Sequence, residues 1–169
     1  MRINCLVPYT RNIIGPMDYT PVAFTQSQHP HTTSYAHELA LSVAFESGIQ
    51  HWADRPEGFL SLPAFARKHM QEVPVAWDEM RFIDGYPGKF FIIARRKGHR
   101  WYVAGLQGED KAASFTVPLS FLGKGRYTAS IISDGASETE FRHSTSVVTR
   151  KQAITLDCLG KGGFVLTFD

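Results

Sequence analysis

The feature that most limits the fold is a change of character at Val73-Pro74. Beyond it the chain is a series of short aromatic and β-branched runs separated by glycine turns. The runs predict strands over Trp77–Asp84, Lys89–Arg96, Arg100–Leu106, Ala113–Leu119, Arg126–Ser133, Ser144–Thr149, Gln152–Leu156 and Phe164–Phe168. Between them stand turn signals: Asp84-Gly85-Tyr86-Pro87-Gly88, Lys97-Gly98-His99, Gly123-Lys124-Gly125, Asp134-Gly135 and Gly160-Lys161-Gly162-Gly163. Short strands at this spacing, joined by tight turns, predict an antiparallel β-sandwich. Trp101, Val103 and Gly105 alternate with Tyr102, Ala104 and Leu106, so that strand is apolar on both faces and belongs at the centre of a sheet. Tyr127, Ala129 and Ile131 alternate with Thr128, Ser130 and Ile132, which suits a strand with one wetter face.

Before Val73 the period is helical. Ala36, Leu39, Ala40, Val43 and Ala44 recur at helical spacing and predict one apolar stripe on a helix over Ser34–Ser47. Thr32 or Thr33 is positioned to cap its start, and Gly48 to end it in a left-handed conformation. A second helix is predicted over Pro63–Met70, with Ser61 as its N-cap and Phe65, Ala66 and Met70 on its apolar side. Ahead of both, Pro8–Gly15 reads as a short strand and Pro16–Pro21 as a loop. One strand, loop and helix cannot build a parallel sheet, because the strand's backbone groups would lack partners. The first 70 or so residues therefore read as a piece of something larger.

Composition narrows the function. Eighteen basic and 16 acidic side chains in 169 residues leave a net charge of +2, so there is no basic excess for a nucleic acid. No apolar run approaches the roughly 20 residues of a membrane helix. The first residues lack the apolar core of a signal peptide. Cys5 and Cys158 lie near opposite ends and read as two separate packed thiols, neither a disulfide framework nor a zinc site.

The run Pro8-Tyr9-Thr10-Arg11-Asn12-Ile13-Ile14-Gly15-Pro16-Met17-Asp18-Tyr19-Thr20-Pro21 resembles the P-[FY]-T-R-x-x-x-G-P-M-D-Y-T-P segment near the end of the catalytic barrel in glycoside hydrolase family 97. The similarity continues through Thr32-Thr33, His37-Glu38-Leu39-Ala40, Glu46-Ser47-Gly48-Ile49-Gln50 and Ala53-Asp54. It resumes at Val73-Pro74, Trp77-Asp78-Glu79, Gly88, Ala94-Arg95-Arg96, Trp101-Tyr102 and Asp134-Gly135. The resemblance implies α-glucosidase or α-galactosidase relatives built from an N-terminal β-super-sandwich, a (β/α)8 barrel and a C-terminal β-sandwich associated with oligomerisation. It implies a mainly β chain in which residues 1–72 are the tail of the barrel, with its last strand and helix, and residues 73–169 are the C-terminal sandwich. The family's catalytic and calcium-binding glutamates fall upstream of the matching segment. The chain alone is accordingly expected to lack catalysis and to hold no cofactor, the calcium belonging to the intact enzyme. Intact relatives are periplasmic, whereas no export signal is read here. Self-association and carbohydrate are the partners the resemblance suggests, with neither nucleic acid nor membrane.

Glycoside hydrolysis takes two carboxylates about 5–5.5 Å or about 6.5–9.5 Å apart. Glu38 and Glu46, eight residues apart on the predicted helix, would stand about 12 Å apart along its axis, too far for either mechanism. Asp54, Glu57, Asp78 and Glu79 read as solvated or capping acids. The exception is Asp18. If the preceding segment is the last barrel strand, its loop lies at the active end of the barrel. Arg11, Asp18 and Tyr19 are then candidate pocket-lining residues of an intact enzyme, with Arg11 holding Asp18. His29-Pro30-His31 lacks a third metal ligand at usable spacing, and His37-Glu38 lacks a second histidine. Phe90, Phe91, Trp101, Tyr102, Phe115, Phe121 and Tyr127 read as sandwich core, or alternatively as a sugar-stacking platform that would make the chain a carbohydrate-binding module.

Overall fold

The computed structural model describes residues 2–20, 23–25 and 31–169. Eight antiparallel strands form among them: β1 (Glu79–Tyr86), β2 (Phe90–Lys97), β3 (Arg100–Gln107), β4 (Ala113–Pro118), β5 (Tyr127–Asp134), β6 (Phe141–Val148), β7 (Ala153–Cys158) and β8 (Gly163–Phe168). Six make one sheet in the order β1-β2-β3-β8-β5-β6, and β4 and β7 make a second. Period-2 alternation gives the large sheet two greasy faces. Ile92, Ala94, Trp101, Val103, Phe164, Leu166 and Phe168 point toward β4 and β7 and form one core with Val117, Leu119 and Leu156. Phe91, Ile93, Tyr102, Ala104, Leu106, Ile132 and Val165 point the other way and form a second core with the helices. The apolar pattern of β3 on both faces has this cause, and its central place follows. Phe91, Trp101 and Tyr102 are buried, and Phe90, Phe115, Phe121 and Tyr127 pack half-buried on the sandwich core. These rings are the core and present no open platform.

The helices are α1 (Arg11–Ile14), α2 (Tyr35–Ala44), α3 (Pro56–Ser61) and α4 (Ala64–Glu72). The strand expected over Pro8–Gly15 is instead a 3-10 turn at Val7–Tyr9 followed by α1. With no neighbouring strand to pair with, the backbone satisfies itself locally: Tyr9 N donates to Leu6 O at 3.0 Å and Thr10 N to Val7 O at 3.1 Å. Among the described residues of this region, a single parallel bridge joins Tyr19 to Gln50. Three boundary expectations also change. Ser34, not Thr32 or Thr33, caps α2. That helix ends at Phe45 in extended backbone, before reaching Gly48, and Glu46 lies beyond it. Ser61 closes α3, donating to Gly58 O at 2.7 Å, and Pro63 precedes α4.

The stripe of α2 meets neither barrel strands nor solvent. Ala36, Leu39, Ala40, Val43 and Ala44 are all buried. They pack on β3, β8, β5 and β2, with α4 beside them. An exposed apolar stripe that drives association is therefore not a property of this fold.

Candidate functional site

The seam where α2 lies across the sheet gathers most of the buried polar groups. At its start, the Ser34 hydroxyl accepts a hydrogen bond from His37 N at 3.0 Å, capping the helix. The same hydroxyl donates to the Asp134 carboxylate at the end of β5. Asp134 also accepts from Leu159 N at 2.9 Å and Gly163 N at 3.1 Å. Burial nevertheless pushes its carboxyl above the usual range. One turn on, His37 is fully buried, with Nδ1 2.9 Å from Gly162 O and Nε2 3.0 Å from Asn4 Nδ2. A carbonyl only accepts, so Nδ1 carries the proton and Nε2 accepts from Asn4. Burial lowers the imidazole to about 4.

Ser34, His37 and Asp134 are the residue types of a nucleophilic triad, but they are wired differently. In a triad the histidine stands between serine and aspartate and takes the serine proton. Here the serine donates straight to the aspartate, and both imidazole nitrogens are occupied elsewhere. All three side chains are closed to solvent. The arrangement holds; it does not react.

At the other end of α2, Arg95 of β2 reaches up with only 3% of its surface exposed. It donates from Nη2 to Ala44 O at 3.3 Å, and its Nη1 lies 3.5 Å from Glu46 Oε2. The Trp77 ring stands 5.8 Å from its guanidinium carbon. A helix carries partial positive charge at its start and negative charge at its end. The sheet therefore sets a carboxylate group against the first and a guanidinium against the second. Between them lies Gly163, where an added Cβ would come within 2.8 Å of the His37 Cα and of Gly105 O. The helix rides directly on strand backbone at that point.

The residues singled out for a pocket are placed as follows. Arg11 donates to Gly15 O and Pro16 O, each at 3.2 Å, rather than to Asp18. Asp18 is exposed. Tyr19 packs edge-on against Phe45 with ring centroids 4.7 Å apart, and burial raises its phenol. Of the other acids, Glu57 is exposed, and the rest have structural partners. Glu38 accepts from the Thr33 hydroxyl, with His31 3.9 Å away, and Glu46 meets Arg95. Asp54 accepts from Phe24 N at 2.6 Å and Thr25 N at 2.9 Å. Asp78 accepts from Gly98 N at 2.7 Å, and Glu79 pairs with Arg81 and Arg96. His29 lies outside the described residues. Cys5 and Cys158 are separate, buried thiols. Among the described residues no three His, Cys, Asp or Glu side chains converge in one place. A groove of about 260 Å³ beside α4 is lined by Phe65, Lys68, Thr128, Ser130 and His143, the Phe65 ring stacked on His143 at 4.4 Å.

Residues 76–169, which hold all eight strands, match the family described as "Glycosyl-hydrolase 97 C-terminal, oligomerisation". The chain belongs to glycoside hydrolase family 97. It is 38% identical, over 94% of its length, to a probable retaining α-galactosidase of Streptomyces bingchenggensis, of which it covers 24%. It is 28% identical, over 98% of its length, to a retaining α-galactosidase of Bacteroides thetaiotaomicron, of which it covers 27%. Among solved structures, a family 97 enzyme from Pseudoalteromonas sp. strain K8 in complex with acarbose superposes with a TM-score of 0.92 at 30% identity. That match covers 99% of this chain and 28% of the other. The chain thus spans about a quarter of the length of these family 97 relatives and corresponds to their C-terminal part.

The seam was missed by sequence reasoning. Its three polar residues are 3 and 97 positions apart along the chain, and Asp134-Gly135 carries the ordinary signature of a turn. One local signal did exist: Ser34 stands immediately before the first periodic apolar residues, the position an N-cap takes.

Proposed function

We propose that this chain serves a family 97 hydrolase as the part that fixes the tail of the barrel to the C-terminal sandwich and joins enzyme copies together. The observation that carries the reading is α2, a helix from the region that resembles the barrel's end, buried on the sandwich and held at both ends by the sheet's own charged side chains. The intact enzyme hydrolyses α-galactosidic or α-glucosidic bonds, the former in keeping with the names of the relatives. Its acid, base and calcium-binding carboxylates lie in parts outside these residues, a reading supported by Glu38, Glu46, Asp54, Asp78 and Glu79, which are engaged in local hydrogen bonds and ion pairs. Of Arg11, Asp18 and Tyr19, the exposed Asp18 is the one offered to the substrate pocket of that enzyme, Arg11 being held by the Gly15 and Pro16 carbonyls and Tyr19 by Phe45. Self-association follows the role in the family description of residues 76–169.

The test is direct. Purified chain supplied with calcium and aryl α-galactosides or α-glucosides is expected to release no phenol above the uncatalysed rate. Turnover that co-purifies with the chain through a second column overturns the reading.

A further inference from the structure

A sheet's outer strands expose unpaired N–H and C=O groups, and proteins normally blunt them with charges, prolines, bulges or covering segments. The two edges of the large sheet differ in this respect. β1 carries Glu79, Arg81 and Asp84, breaks its register between Phe82 and Asp84, and has the Tyr9 ring 6.1 Å from Phe82. β6 has fewer of them: one charge, Arg142 near its start, and the Phe65 ring of α4 stacked on one face at His143, with no proline and no bulge. Its eight residues pair with β5 without a register shift. From His143 to Thr149 there is no Lys, Arg, Asp, Glu or Pro. Arg142 through Val147 are exposed on both faces of the strand, Val147 by 54%. β6 packs chiefly on β5, with neither α2 nor the β4-β7 layer extending over it to any comparable degree.

We propose that the free edge of β6 is where two copies of this chain join, the strands pairing antiparallel about a two-fold axis through Thr145. This rests on the self-association reading above and names its surface. Identical edges that pair side by side and antiparallel are related by an axis perpendicular to the sheet. Opposed residues then share a face, so one residue must oppose itself. With Thr145 at the axis, Ser144 meets Ser146, His143 meets Val147 and Arg142 meets Val148. The two Arg142 side chains fall six residues apart along the ladder, about 20 Å. That exceeds the screening length of about 8 Å at physiological salt. No like charges oppose, and the centre is a threonine pair of the kind that already stabilises the β4-β7 ladder, where the Thr116 and Thr155 hydroxyls lie 2.9 Å apart. The result is one continuous sheet through both copies.

Sedimentation velocity over the micromolar range tests this. The unaltered chain is expected to dimerise. Thr145→Lys, which sets two ammonium groups face to face, is expected to raise the dissociation constant about tenfold or more. Met80→Lys on the opposite edge is expected to leave it unchanged. An unaltered chain that stays monomeric throughout overturns the self-association reading and this surface together. A dimer that survives Thr145→Lys with native circular dichroism overturns the surface alone. If that variant does not fold, Thr145→Cys decides, because the axis brings the two thiols together while Cys5 and Cys158 are buried. Oxidation is expected to cross-link the dimer, and a dimer that does not cross-link overturns the surface.

Discussion

Two histidines, His37 and His69, are buried so completely that each is lowered to about 4 from its ordinary 6.5. Between those values the unfolded chain binds protons that the folded chain refuses. Stability is therefore complete above about pH 6.5 and falls as the pH drops toward 4, by up to about 3 kcal/mol per histidine. Glu38 and Asp134, both raised by burial, act in the opposite sense, since the fold binds their protons more readily than the unfolded chain does. They offset part of the loss at the acid end. Urea unfolding is expected to show a lower midpoint near pH 5 than near neutrality, and His37→Gln a shallower dependence. A midpoint that moves as much in His37→Gln as in the unaltered chain would mean that this imidazole reaches water. Little of this was readable from the sequence. His37 stood out as half of an incomplete metal motif and as part of the family resemblance, not as a buried group, because the Gly162 carbonyl that holds it is 125 residues away.

At the scale of elements, the sequence was far more informative. Each strand expected beyond Val73 overlaps an observed one, because alternation and glycine turns are local signals, whereas the strand expected over Pro8–Gly15 is a 3-10 turn and α1. β6 begins three residues before the expected Ser144, since Phe141-Arg142-His143 has no β pattern of its own and is recruited by pairing with β5. α3 passed unnoticed: Pro56-Glu57-Gly58-Phe59 is short, and its glycine sits where a Cβ would meet Asp54 Oδ2 at 2.3 Å. The contact of α2 with β8 has its own test. Gly163→Ala inserts a methyl between strand and helix, where the atoms it meets, Gly105 O and the His37 Cα, are backbone and cannot swing aside. The expected cost is about 1–3 kcal/mol, read as a lower midpoint in chemical unfolding with the far-UV spectrum retained. A neutral result would show that α2 does not bear on the strand.

For the molecule as a whole, the change of character at Val73-Pro74 separates two kinds of sequence but not two cores. Phe24, Leu39, Val43, Leu62 and Ala66 share one cluster with Phe91, Tyr102, Leu106 and Val165. A single calorimetric transition is expected, with the helices and the sheet lost together, and two resolved transitions would contradict a shared core. The residues that match the family description begin at 76, after all four helices. A sandwich cut there would keep its ladders but bare the sheet face that α2 covers. For recombination between genes, the transplantable unit must therefore start well upstream of the strands and carry Ser34 and Glu46 along with Asp134 and Arg95. A crossover placed at the boundary of strand-like sequence would part a rivet from its plate, leaving Arg95 without the helix end it holds and Asp134 without Ser34.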